Sequence, residues 1–129
     1  MTFNRIAAIA FALVLAVPAA QAVETTLQIQ LGTGGGTDFE RRTMVYDCSV
    51  GDPINVEYIN AAPNFLAFVP VDGEAEKMIF TAVIAASGVK YAAGQWVWWT
   101  KGPDASLYDL TLGEDAEAVK TCSEVVNTP

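Results

Sequence analysis

The residues of this chain whose types could do chemistry are its carboxylates, its two cysteines, three clustered tryptophans and a few polar turn residues; there is no histidine. Histidine is the usual general base near neutrality, so Ser-His-Asp and Cys-His nucleophile systems and every His-ligated metal site are excluded. Glycoside hydrolysis needs only two carboxyl groups at a fixed separation. Asp47, Asp52, Glu57, Asp72, Asp104, Asp109, Glu114, Asp115 and Glu117 supply carboxyls in plenty, yet none stands in a recognisable catalytic frame. Abundance without a frame reads as solvated surface, and Glu114, Asp115 and Glu117 lack the spacing of a calcium loop. The run Gly32-Thr33-Gly34-Gly35-Gly36 lacks the GK[ST] of a phosphate loop and reads as linker. No cofactor or metal is expected.

The charge balance narrows the partners. Seven Lys and Arg against 15 Asp and Glu give a formal charge of −8 over 129 residues. A chain this acidic has no electrostatic footprint for nucleic acid, which needs clustered Lys and Arg. Arg5, the apolar run Ile6 to Val17 and the small-x-small ending Ala20-Gln21-Ala22 form a signal peptide over residues 1–22, too short in its apolar part to span a bilayer comfortably. Cleavage after Ala22 removes Arg5 alone among charged residues, so the exported chain is one unit more negative still. A lipoprotein carries Cys directly after the cut; Val23 stands there, and no membrane anchor is expected. Cys48 and Cys122 both fall in the exported part. An even, distant pair in an oxidising compartment reads as a structural disulfide, with a free reactive thiol as the minor reading.

The elements that must position these groups show a period of two. After a glycine-rich leader (23–38), a domain over 39–129 begins with Met44, Tyr46 and Cys48 in alternation. Ile54, Val56 and Tyr58 follow the Gly51-Asp52-Pro53 turn, and Phe65 to Val71 precedes Asp72-Gly73. Lys77 to Ala85, Val89 to Ala92, Gln95 to Thr100, Ala105 to Leu112 and Val119 to Val125 complete the set, separated by Ser87-Gly88, Ala93-Gly94 and Lys101-Gly102-Pro103-Asp104. About eight short strands without an amphipathic helix predict an antiparallel sandwich or small barrel. In a barrel of this size side chains fill the interior and leave no ligand cavity, so function belongs on loops at one rim. On their strand Trp96 and Trp98 share a face and Trp99 points the other way, which puts at least one ring in the core.

Three segments in order carry a family resemblance: Tyr46-Asp47-Cys48-Ser49-Val50-Gly51, Ala86-Ser87-Gly88-Val89-Lys90-Tyr91, and Trp98 to Leu107 with its Lys101-Gly102. They resemble the YxCxxG, SGxxY and WxKGxxA boxes of the bacterial inhibitors of c-type lysozyme, the MliC/PliC family, over about Met44 to Cys122. The resemblance implies an all-β fold, a small eight-stranded antiparallel β-barrel closed by one disulfide between Cys48 and Cys122. It implies that Ser87 and Lys101, on neighbouring loops, enter the lysozyme active-site cleft, with Tyr91, Gly88 and Gly102 shaping or flanking those loops. The membrane-bound branch has a lipidated Cys that is absent here, so the resemblance fits the soluble, periplasmic branch of a Gram-negative bacterium. A lysozyme inhibitor rather than an enzyme is the reading this favours. The alternatives are a periplasmic carbohydrate- or peptidoglycan-binding module using the tryptophan strand, an exported structural domain and, last, a hydrolase. Oligomeric state is not written in these motifs.

Overall fold

The computed structural model describes residues 12–16 and 40–126. The expected signal peptide and glycine-rich leader therefore lie outside the described residues, apart from 12–16, which carry no regular structure. Eight strands follow in chain order: β1 (Glu40–Cys48), β2 (Ile54–Ala61), β3 (Asn64–Val69), β4 (Met78–Val83), β5 (Val89–Ala93), β6 (Trp96–Lys101), β7 (Asp104–Asp109) and β8 (Lys120–Glu124). Each pairs antiparallel with the next, and β8 returns to β1, so the sheet is a closed barrel. Of the two architectures that the strand pattern allows, the barrel is the one formed, and closure gives every strand a neighbour on both sides, although β8 covers only the last residues of β1.

The interior follows from alternation. Val56 and Tyr58 on β2, Ala67 and Val69 on β3, Phe80 on β4, Tyr91 on β5, Trp98 on β6, Leu107 on β7 and Cys122 on β8 are buried together. Large and small side chains face each other across the ladder: Ala67 sits opposite Tyr58 on one side and Phe80 on the other. Such interdigitation fills a narrow barrel without forcing strained rotamers. Tyrosine and tryptophan bring polar atoms inside, and these satisfy one another. The Trp98 indole N–H donates to the Tyr58 hydroxyl at 2.8 Å, and the Tyr58 and Tyr46 hydroxyls are 2.8 Å apart. Among the described residues no buried side-chain nitrogen or oxygen lacks a partner. At the far end Lys120 buries its stem and reaches the exposed Asp72 carboxylate at 3.3 Å.

Two sequence expectations need correcting. The strand expected over Ala105 to Leu112 stops at Asp109, and Leu110–Leu112 form a 3-10 turn. Asp109 ends the strand because its carboxylate accepts the backbone N–H of Thr111 at 2.9 Å and the Thr111 hydroxyl at 2.6 Å, a local bond that competes with the ladder. Those bonds also hold the Asp109 carboxyl below its ordinary pKa. The barrel is also not filled to both ends: a cavity of about 620 Å³ opens at one mouth, its lining including Tyr46, Tyr58, Tyr91 and Arg42. The aromatic cluster fills the barrel's middle and leaves the space above it open.

The seam between β1 and β8 is short, pairing only Tyr46 to Cys48 with Glu124 to Cys122. Cys48 and Cys122 are register partners there and are joined by a disulfide, with Cα atoms 4.0 Å apart. The bond closes 74 residues of chain, which in the loop-entropy account stabilises the fold by about 4 kcal/mol. Removing it by Cys48→Ala with Cys122→Ala should lower the unfolding free energy by that order. Urea unfolding of wild type with and without reductant checks this, and an unchanged midpoint would contradict it.

Candidate functional site

The open mouth and three hairpin turns, β2–β3, β4–β5 and β6–β7, lie at the same end of the barrel. This rim is formed by those turns with the start of β1 and the end of β8; accordingly Asn60, Phe65, Ala82, Val89, Gly102 and Glu124 all border the cavity. The Ser87-containing β4–β5 turn and the β6–β7 turn are the two that meet. Ser87 and Gly88 make the exposed β4–β5 turn. Lys101 is the last residue of β6 and pairs with Asp104 across a two-residue turn, Gly102-Pro103. Gly102 has φ 57°, the positive angle that such mirror-image hairpin turns require.

The two turns are joined by side-chain chemistry. Trp99, on the outer face of β6, donates its indole N–H to the Ser87 carbonyl at 2.9 Å. The Lys101 ammonium stands 4.0 Å from the centre of the Trp99 ring, and the Lys90 ammonium 3.9 Å from the same centre. Lys90 gets there because β5 and β6 pair it directly with Trp99; Lys101 gets there because it is two residues further along the same face. Gly88, at φ 62°, lies so close that an added Cβ would collide with the Thr100 carbonyl oxygen and stand 2.9 Å from Lys101 Cγ. The Ser87-Gly88 turn is therefore pressed onto the Thr100-Lys101 backbone, and glycine is what allows the approach. Nothing lies within 4 Å of a Cβ added at Gly102.

Of the five site residues expected from sequence, the structure brings Ser87, Gly88, Lys101 and Gly102 to one rim. Tyr91 is elsewhere: it is inside the barrel, 6% exposed, with its ring 5.6 Å from that of Tyr58, and it meets the rim only as part of the cavity wall. The tryptophans divide as alternation requires. Trp98 is fully buried, Trp96 packs against the core, and Trp99 is on the wall 6.3 Å from Tyr108. None presents a bare aromatic platform, because the outward ring carries two ammonium groups and its N–H is taken. Sequence reasoning missed Lys90 and Trp99 as parts of the site. Among the described residues no group of His, Cys, Asp and Glu is arranged to hold a metal.

The cavity floor is electrically neutral at physiological pH. Burial pushes the hydroxyl pKa values of Tyr46, Tyr58 and Tyr91 up from the ordinary value of 10.0. Arg42 stands 6.0 Å over the Tyr58 ring.

A closed eight-stranded antiparallel barrel with a cross-strand disulfide and polar turns at one open mouth defines a class of small disulfide-closed β-barrels. The chain belongs to the MliC family. The family model described as membrane-bound lysozyme-inhibitor of c-type lysozyme matches residues 46–115. The chain is 43% identical over 95 residues, 73% of each chain, to the membrane-bound lysozyme inhibitor of C-type lysozyme of Pseudomonas aeruginosa. It is 36% identical over 75 residues, 58% of each, to the protein of that name from Cupriavidus necator. It is also similar to the crystal structure of Pseudomonas aeruginosa MliC in complex with hen egg white lysozyme, with 37% identity and a TM-score of 0.62, over 81% of this chain and 99% of that one.

Two outcomes follow from this geometry. Gly88→Ala should destabilise the barrel by about 1–3 kcal/mol, because strain and collision with Thr100 add, whereas Gly102→Ala should cost only about 1 kcal/mol of backbone strain; thermal unfolding of both variants compares them. The tyrosines give a pH signature. Their folded pKa values are raised, so the stability they contribute is complete below pH 10.0 and is lost as pH rises, since the unfolded chain deprotonates first. Melting temperature should fall as pH rises above about 10, while tyrosinate absorbance of the folded protein lags that of the unfolded chain.

Proposed function

We propose that this protein inhibits c-type lysozyme by inserting the rim that carries Ser87 and Lys101 into the enzyme's active-site cleft. The observation that carries the reading is the joining of those two residues at one exposed rim, from separate hairpins, through Trp99. Membership of the MliC family and the lysozyme complex of the Pseudomonas relative support it.

A retaining glycosidase holds its two catalytic carboxyl groups about 5 Å apart, so one ammonium with a neighbouring hydroxyl reaches both. Lys101 supplies the charge and Ser87 the hydrogen bond, while Gly88 and Gly102 give the turns their shape. Tyr91 supports the rim from inside the barrel. Occupying the cleft excludes substrate, so inhibition is competitive and the protein itself turns nothing over. The acidic charge of the mature chain, one unit beyond the −8 of the full sequence, attracts a basic enzyme and speeds association at low salt more than it deepens affinity.

Export belongs to the same reading. Residues 1–22 serve as a signal peptide, and the mature protein works in the periplasm or outside the cell, shielding peptidoglycan from host lysozyme. The relatives are named membrane-bound; in this chain Cys48 and Cys122 are joined to each other in the barrel, which supports a mature protein without a lipid on either cysteine. No helix among the described residues is long and apolar enough to cross a membrane.

Titration of residues 23–129, disulfide intact, into hen egg white lysozyme lysing a bacterial suspension should abolish lysis competitively. Lys101→Ala should weaken binding by about 2–5 kcal/mol, because it leaves the enzyme's carboxylates buried against an uncharged surface. Ser87→Ala should cost about 1 kcal/mol, one neutral hydrogen bond. Full inhibition by Lys101→Ala would remove that residue from the mechanism, and undiminished lysis by wild type would remove the reading itself.

A further inference from the structure

The geometry points to Trp99 as the positioning residue of the rim, which sets Ser87 and Lys101 in one arrangement before any target is met. This rests on the lysozyme reading above and names how its two contacts are held. Trp99 acts on them in two ways: its indole N–H holds the Ser87 carbonyl at 2.9 Å, and its ring lies 4.0 Å from the Lys101 ammonium. An exposed lysine otherwise samples many rotamers, and each would have to be given up on binding. A ring face attracts the ammonium through its quadrupole and narrows that choice in the free protein.

Trp99 is free for this work. It is absent from the interior cluster in which Trp98 is fully buried and against which Trp96 packs. It therefore contributes little to the core, and its loss opens no internal cavity. Lys90 shares the ring at 3.9 Å, so the strand partner of Trp99 adds a second positive charge beside Lys101 on an otherwise acidic chain. Gly88 completes the arrangement, since it is what lets the turn come close enough for Ser87 to reach the indole.

The test compares Trp99→Leu, which removes both contacts, with Trp99→Phe, which keeps a ring and loses the N–H. Each is made in wild type and in the Lys101→Ala background, with Kd for hen egg white lysozyme and thermal unfolding measured on all. Trp99→Leu should raise Kd about tenfold in wild type but only about threefold when Lys101 is already gone, with Trp99→Phe between. The chemical shifts of the Lys101 side-chain methylenes give a readout that needs no lysozyme. Ring current should move them upfield in wild type and release them in Trp99→Leu. An equal loss of affinity in both backgrounds, or Lys101 shifts indifferent to the substitution, overturns the positioning role while leaving the inhibitor reading intact. A wild-type chain that does not bind lysozyme overturns the reading on which it rests.

Discussion

Everything at the rim depends on which way one strand faces. Trp98 is fixed inward by its hydrogen bond to the Tyr58 hydroxyl, itself paired with Tyr46, and by its edge-on packing 5.3 Å from the Tyr46 ring. A buried hydroxyl left without a partner costs about 1–3 kcal/mol, so this chain of three polar atoms is all-or-none and fixes the parity of β6. With Trp98 inside, Trp99 has to be outside, and Lys101, two residues on, shares its face. A slip of one residue would reverse every one of these placements.

The same network explains why the barrel has an open mouth. Tyrosine rings fill the middle of the interior, and the Tyr46 and Tyr58 hydroxyls meet one another there rather than project to the end. Glu40, Arg42 and Glu124 then line the mouth together with residues of the three hairpins at that end. The other end is stoppered differently, by the stem of Lys120 under Asp72. Core chemistry and rim chemistry are thus consequences of one set of aromatic residues seen from opposite sides of the sheet.

Much of this was legible in the sequence. Period-two runs such as Ile54, Val56 and Tyr58 gave the strands, because alternation is what a half-buried strand must show. The glycine-containing turns separated them, and the distant Cys48 and Cys122 marked the seam. Closure into a barrel was left open by the pattern itself and came through the resemblance of the three boxes. The cavity was not legible, since side-chain filling depends on how tyrosine hydroxyls pair across strands. The Trp99 junction was missed for a more exact reason. A β5–β6 turn read as Ala93-Gly94 pairs Lys90 with Val97; the real turn, Gly94-Gln95, pairs it with Trp99. Moving a turn by one residue moves every cross-strand partner by two.

The two hairpins that meet at the rim are built to different tolerances. Space around Gly88 is used up by the neighbouring strand, while the volume beside Gly102 is empty. The two glycines therefore limit change in different ways: at Gly102 only the backbone angle resists a side chain, whereas at Gly88 the angle and the neighbouring strand resist it together, so bulk added there would part the two hairpins. A side chain that points outward at Gly102 meets only solvent, while one at Gly88 wedges two strands apart, so one hairpin is fixed by its own backbone and the other by its neighbour.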